Sequence, residues 1–292
     1  MAHKSGFVNI IGNPNAGKST LMNVLVGDKL SIITPKAQTT RQRILGICNT
    51  DEYQIIFSDT PGMVNPHYKL HQAMINSIKA TLQDADVFLL ISDRGEDFKN
   101  EDIIRDIQQS KIPVILLLNK IDLSSQEEIA TQIERWQTKL PDAAILPVSA
   151  LHKFNTQSVM DMILERLPEA PPYYPKDEVS DRPLRFFVTE ILREQILIHY
   201  QKEIPYSVEV VVDTYEETDD IDKIRCLIYV ERESQKHIII GKEGAALKRV
   251  GKNARLQMEQ FLGKKVFLQI FVKVIKDWRN DEKVLKKFGY NT

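Results

Sequence analysis

The stretch Gly12-Asn13-Pro14-Asn15-Ala16-Gly17-Lys18-Ser19 decides the fold. It has the spacing glycine, four residues, then Gly-Lys-Ser/Thr, and it follows Phe7-Val8-Asn9-Ile10-Ile11, a β-branched run that reads as a buried strand. After it, Thr20-Leu21-Met22-Asn23-Val24-Leu25-Val26 is apolar at helical spacing. A loop between a strand and a helix aims several backbone N–H groups and a helix N-terminus at one point, which favours an anion there. Gly12 and Gly17 allow the tight turn, Lys18 meets β- and γ-phosphates, and Ser19 offers its hydroxyl to Mg²⁺. Asn13, Pro14, Asn15, Ala16 and Thr20 complete the expected phosphate contacts.

Outward from this loop, apolar runs at 7–11, 54–58, 86–91, 113–118 and 143–147 read as strands. Amphipathic stretches at 18–26, 68–83, 101–109, 126–139 and 155–167 read as helices between them. Strands apolar throughout, separated by helices, imply a doubly wound, mostly parallel α/β sheet covered on both faces. Residues 43–49 are expected to pair antiparallel with 54–58 across the polar turn Thr50-Asp51-Glu52. In such folds the ligand lies at the carboxyl ends of the strands.

Three further motifs fall at those ends. Asp59-Thr60-Pro61-Gly62 follows the second run; Asp59 can hold Mg²⁺ through a water, and Gly62 can offer a bare N–H to a γ-phosphate. Asn119-Lys120-Ile121-Asp122 follows the most apolar run. A carboxylate such as Asp122 accepts from both N1–H and the exocyclic amine of guanine, whereas adenine would leave it unpaired and desolvated. Asn119 can bond the other edge of the base, the stem of Lys120 can pack along it, and Ser149-Ala150-Leu151 supplies N–H groups toward O6. All four motifs in this order specify GTP rather than ATP. In the polar segment 31–43, spacing favours Thr40 over Thr39 as the threonine that completes the Mg²⁺ shell. Met63 follows Gly62 and cannot orient a water, so slow intrinsic turnover is expected.

The bulk properties bound the rest. A chain of 292 residues with 42% hydrophobic and 27% charged residues suits about two soluble domains. The N-terminus carries no signal-peptide core, and Cys48 and Cys226 fit no metal spacing, so a reducing, cytoplasmic setting is expected. Pro168, Pro171, Pro172 and Pro175 mark a stiff linker. It divides the chain into 1–170, a linker at 171–182, and 183–292. Net charge is −3 over 1–172, −7 over 173–231 and +9 over 232–292. By charge alone, the basic end is either a polyanion site or a solvated lysine face.

The second half shortens its pattern. Residues 185–198 have helical spacing, 207–212 and 224–230 are strand-like around an acidic loop at 213–222, 245–262 is an amphipathic helix and 266–274 an alternating strand, with a last helix from about 277. This reads as a small α+β domain. Gly241-Lys242-Glu243-Gly244 opens the helix at 245, and Lys248, Arg249, Lys252 and Arg255 recur along it. That pattern matches the KH loop that clamps a single-stranded backbone, with bases against the apolar run Ile238-Ile239-Ile240. The β-branched residues 237–240 by themselves favour a strand.

GNPNAGKS, Ala37-Gln38-Thr39-Thr40-Arg41, DTPG, NKID, SAL and IIIGKEGAALKRVGKNAR together resemble the Era family of bacterial GTPases over essentially the whole chain. The resemblance implies a Ras-like GTPase domain joined to a type II KH domain that binds the 3′ end of 16S rRNA during assembly of the small (30S) ribosomal subunit. It also implies that residues 237–240 end a short helix, and that Ile240 to Gly244 with the helix beyond hold the RNA. Asn15 resembles the asparagine by which potassium-dependent, translation-factor-related GTPases hold K⁺ beside the phosphates. Asn15, Lys18, Thr40 and Gly62 are then the expected catalytic set. A monomer is expected, with at most weak peripheral contact at the inner face of the cell membrane. Two other classes remain: an RNA chaperone whose nucleotide site is structural, and a membrane-associated signalling GTPase using the lysines of 264–287.

Overall fold

A computed structural model describes residues 2–36 and 38–290; Met1, Ala37, Asn291 and Thr292 lie outside the described residues. The chain divides into two compact units, the first holding residues 1–67 and 71–181, the second residues 68–70 and 182–292.

In chain order the first unit comprises β1 (Lys4–Gly12), α1 (Lys18–Val26), β2 (Ile44–Asn49), β3 (Tyr53–Asp59), α2 (Lys69–Thr81), β4 (Val87–Asp93), α3 (Glu101–Gln109), β5 (Val114–Asn119), α4 (Gln126–Lys139), β6 (Ala144–Pro147) and α5 (Thr156–Arg166). The strands form one sheet in the order β2-β3-β1-β4-β5-β6, parallel throughout except for the antiparallel β2–β3 pair. β3 and β4 flank β1 on opposite sides, so the winding reverses at β1 and a crevice opens above its carboxyl end. β4 and β5 are buried along nearly their whole length, as expected for strands covered on both faces. Each fully buried Leu or Ile there stabilises the fold by about 2 kcal/mol.

β2 is an edge strand, yet its first four residues are buried. Residues beyond the prolines run along it: Ile47 N–H donates to the Val179 carbonyl at 2.9 Å and the Ser180 hydroxyl to the Leu45 carbonyl at 2.6 Å. The buried Gln54 side chain anchors the start of this strap, its Oε1 accepting from the N–H groups of Tyr173 (2.7 Å) and Tyr174 (3.0 Å). The Ile47 N–H and Leu45 carbonyl of the edge are thereby satisfied, which blunts a template for aggregation.

The second unit comprises α6 (Leu184–His199), β7 (Glu209–Glu216), β8 (Ile221–Val230), α7 (Glu233–Ile240), α8 (Ala245–Leu262), β9 (Lys265–Val274) and α9 (Glu282–Lys287). Its sheet runs β7-β8-β9, antiparallel then parallel. Val188, Leu192 and Ile196 of α6, with Val250, Ala254 and Met258 of α8, close a core over Ile224, Cys226 and Ile228 of β8.

Three sequence expectations change here. Residues 237–240 end a helix, as the family resemblance implies and against the strand that their β-branched side chains favour. Gln235 Oε1 caps α7 by accepting from the N–H groups of Glu231 and Arg232, and Ile239 enters the core, so capping and burial override β-branched preference. The acidic loop shrinks to residues 217–220, because a bulge between Val212 and Thr214 lets the ladder continue through Glu216. The last helix starts at Glu282, not near 277: Asp277 is left-handed (φ 53°) and begins only a single turn, while the Asp281 carboxylate caps α9. Both cysteines are free, and burial pushes the Cys226 thiol up to about 12, which makes it inert.

Candidate functional site: a phosphate-loop cavity and a basic helix-loop groove

The loop after β1 sits at the switch point, and a cavity of about 580 Å³ opens over it. Gly17 is left-handed (φ 103°), and a Cβ there would collide with the Asn119 amide. Lys18 is buried, and its Nζ donates to the carbonyls of Gly12 (3.2 Å) and Asn13 (2.9 Å). Burial pushes its pKa down to about 8, opposed by the neighbouring Asp59 carboxylate.

Beside it three oxygens converge. Ser19 Oγ donates to Asp59 Oδ2 at 2.6 Å, and Thr40 Oγ1 donates to the same oxygen at 3.2 Å while lying 2.9 Å from Ser19 Oγ. Thr39 turns to Lys36 instead, donating to its carbonyl at 2.6 Å. Asp59 is fully buried, its Oδ1 has no hydrogen-bond partner among the described residues, and burial raises its pKa against the pull of Ser19 and Lys18. Hard oxygen donors around an unmet buried carboxylate oxygen fit a small divalent cation. No cluster of three or more His, Cys, Asp or Glu suited to a metal occurs among the described residues.

At the base end, Asp122 Oδ1 accepts from Ser149 Oγ at 2.6 Å, which with other local contacts holds its carboxyl below the usual range. Lys120 is left-handed (φ 65°), and its Nζ donates to Asp93 Oδ2 at 2.7 Å. Asn119 spends both ends of its amide on backbone: Nδ2 donates to the Ala16 carbonyl (2.7 Å) and Oδ1 accepts from Ala150 N–H (2.9 Å). It pins the phosphate loop to the Ser149-Ala150-Leu151 turn, where Leu151 is mostly exposed.

Other motif residues look elsewhere. Thr60 Oγ1 donates to the Ile10 carbonyl at 2.7 Å, and the Asn13 side chain is tied to the loop after β4, leaving backbone groups as their means of contact. Asn15 is left-handed (φ 64°), and its Nδ2 donates to the Pro35 carbonyl at 3.0 Å. Gly62 lines the cavity, while the Met63 side chain is buried in the core and its N–H donates to the Gly12 carbonyl at 3.1 Å. Ile32, Ile33, Thr34, Pro35 and Asp93 also line the cavity; no motif spacing marks them individually, although Ile32 to Pro35 fall in the 31–43 segment.

In the second unit Gly241 (φ 72°), Glu243 (φ 52°) and Gly244 (φ 76°) all have positive φ before α8. A Cβ on Gly241 would lie 2.6 Å from that of Ala246. Lys242, Lys248, Arg249 and Lys252 are exposed. An open groove of about 500 Å³ runs between α8 and β9, lined by Lys248, Lys252 and Arg255 with Leu247, Leu268 and Ile270. Two expectations need amending. Ile239 is fully buried and cannot meet a base, whereas Ile238 is exposed. Arg255 is ion-paired with Glu259 at 2.9 Å, so its charge is partly spent.

Phosphate loop, oxygen triad and the strand-end carboxylate Asp122 define a Ras-like GTPase domain, here followed by a KH-type unit. Residues 7–120 match the family described as 50S ribosome-binding GTPase, and residues 203–279 match the KH domain. A crystal structure of Era in complex with MgGDPNP and nucleotides 1506–1542 of 16S ribosomal RNA is 40% identical, covering 99% of this chain and 100% of that one at a TM-score of 0.95. A point variant of Aquifex aeolicus Era bound to GDP and AlF4⁻ matches with the same identity, coverage and TM-score. The chain belongs to the Era family of GTPases.

Proposed function

We propose that this chain is a GTP-driven switch that binds the 3′ end of 16S rRNA through its second unit and assists small-subunit assembly. The observation that carries this reading is the full-length match to Era bound to 16S rRNA nucleotides, joined to a Gly241–Gly244 loop whose positive φ angles open a basic helix. On this reading 1–170 is the GTPase domain, 171–182 the linker and 183–292 the RNA-binding domain. The protein works as a cytoplasmic monomer. No helix among the described residues is long and apolar enough to cross a membrane.

Asp122 accepts from the guanine edge, Asn119 holds the two loops around the base, and Lys18 neutralises the β- and γ-phosphates. Ser19 and Thr40 hold Mg²⁺ directly and Asp59 through a water; the ion supplies charge neutralisation of the phosphates. Water attacks the γ-phosphorus as its bond to the β-phosphate oxygen breaks, and the N–H of Gly62 stabilises the developing negative charge. Met63 is buried and contributes nothing to orienting that water, so turnover is slow. Asn15 would hold K⁺ beside the phosphates, where the ion would supply further charge neutralisation, and hydrolysis is expected to run faster in K⁺ than in Na⁺. On the RNA side, the N–H groups at Gly241–Gly244 and the cations Lys242, Lys248, Arg249 and Lys252 take the phosphate backbone, with bases in the Leu247–Ile270 groove.

The test is titration of labelled RNA ending in the small-subunit 3′ sequence against protein loaded with a non-hydrolysable GTP analogue or with GDP. Tighter binding in the GTP state is expected. Equal affinity in the two states removes the switch, and no binding in either state removes the RNA target.

A further inference from the structure

Asn13 stands at a position the phosphate-loop spacing leaves unspecified, yet its side chain is buried and bonded at both ends. Nδ2 donates to the Asp97 carbonyl at 2.7 Å, and Oδ1 accepts from Lys99 N–H at 3.0 Å. One side chain thus grips the loop between β4 and α3 twice. The start of the same segment holds the base side: Arg94 N–H donates to the Asn119 carbonyl at 3.0 Å, and the Asp93 carboxylate takes Lys120 Nζ at 2.7 Å. Its outer side is held by α4. Arg135 and Lys139 both pair with the Asp97 carboxylate, Arg135 Nη1 donates to the Gly95 carbonyl at 2.8 Å, and the Phe98 and Trp136 rings pack at 5.2 Å.

We propose that the β4–α3 loop is a brace that sets how tightly the nucleotide is held, with Asn13 as the positioning residue that ties the phosphate loop to it and Arg135–Asp97–Lys139 as the lock that holds the brace. An anion-binding loop works because its N–H groups are already aimed at the phosphates; without the tether, binding must order the loop at a cost in affinity. Both polar ends of the Asn13 side chain are spent on the β4–α3 loop. Its effect therefore falls chiefly on nucleotide binding. The lock is partly exposed and screened, so its share is smaller than that of Asn13. The inference rests on the cavity being the nucleotide site.

Release of a fluorescent GDP analogue from the full chain, followed by stopped flow, tests it. Asn13→Ala is expected to speed release about tenfold and to raise KM for GTP by more than it lowers kcat. Asp97→Asn is expected to speed release by a smaller factor, and the double variant to release no faster than Asn13→Ala alone, because both act through one tether. Where Asn13→Ala folds poorly, Asp97→Asn carries the test, and release from it no faster than from wild type overturns the proposal. Release from Asn13→Ala within about twofold of wild type overturns the proposal, as do effects that multiply in the double variant. Wild-type protein that fails to take up the analogue would instead overturn the nucleotide-site reading.

Discussion

Ser19 Oγ lies 2.6 Å from Asp59 Oδ2, and Thr40 Oγ1 reaches the same carboxylate oxygen at 3.2 Å. Two hydroxyls 21 positions apart in the chain thus share one buried acceptor. The adjacent Thr39 hydroxyl is directed to Lys36 and Thr34. Thr40→Ala is therefore expected to raise the Mg²⁺ concentration needed for half-maximal GTP hydrolysis by about tenfold or more, and Thr39→Ala to change it by less than about twofold. A Mg²⁺ titration of both variants decides between the two threonines; the reverse order would assign the ligand to Thr39.

Lys18 is held near a pKa of about 8 by burial. Nucleotide phosphates favour its charged form, so its pKa in the complex is higher than in the free protein. Below about pH 8 the side chain is protonated in both states and affinity is at its plateau. Above that, the free protein loses the proton while the complex keeps it, and GDP affinity declines by up to about tenfold per pH unit. Calorimetry near pH 9 in buffers of different ionisation enthalpy should register net proton uptake on binding. Proton release would show that another group dominates.

Gln54 is buried beneath the strap along β2, and besides its two Oε1 contacts its Nε2 donates to the Tyr174 carbonyl at 2.8 Å and Asn49 Oδ1 at 2.6 Å. Gln54→Ala orphans several of these partners at once. It is expected to cost about 2–4 kcal/mol of stability while leaving GDP affinity within about twofold. Thermal unfolding together with nucleotide titration measures both. An unchanged melting temperature would mean that water replaces the side chain.

The two glycines of the second unit should separate. Gly241→Ala meets Ala246 and a positive φ, and is expected to destabilise that unit by about 2 kcal/mol. Gly244 has open space around it, so Gly244→Asp pays only the backbone strain of about 1 kcal/mol but sets a carboxylate against the RNA backbone. Its RNA affinity should fall at least about tenfold with GTP hydrolysis within about twofold of wild type. Filter binding and a phosphate-release assay read the two quantities. Retained RNA affinity would move the RNA path off this loop.

The chain announces much of this locally. Glycine spacing, strand-end aspartates and helical periodicity are short-range properties, and they mark the phosphate loop, Asp59, Asp122, the 245–262 helix and the parallel sheet without any coordinates. A carboxylate placed after an apolar strand reads guanine for chemical reasons that hold wherever the strand lies. What the tertiary structure decided are matters of long-range partnership. Residues 237–240 became a helix because a cap and a core outweigh β-branched preference. Asn119 and Asn13 became tethers because Ala16, Ala150, Asp97 and Lys99 arrive from distant segments to take their amides. The segment beyond the prolines became a cover for the β2 edge because unpaired edge groups need partners. Local pattern sets which residues have the chemistry; only packing sets whose hydrogen bonds are already taken.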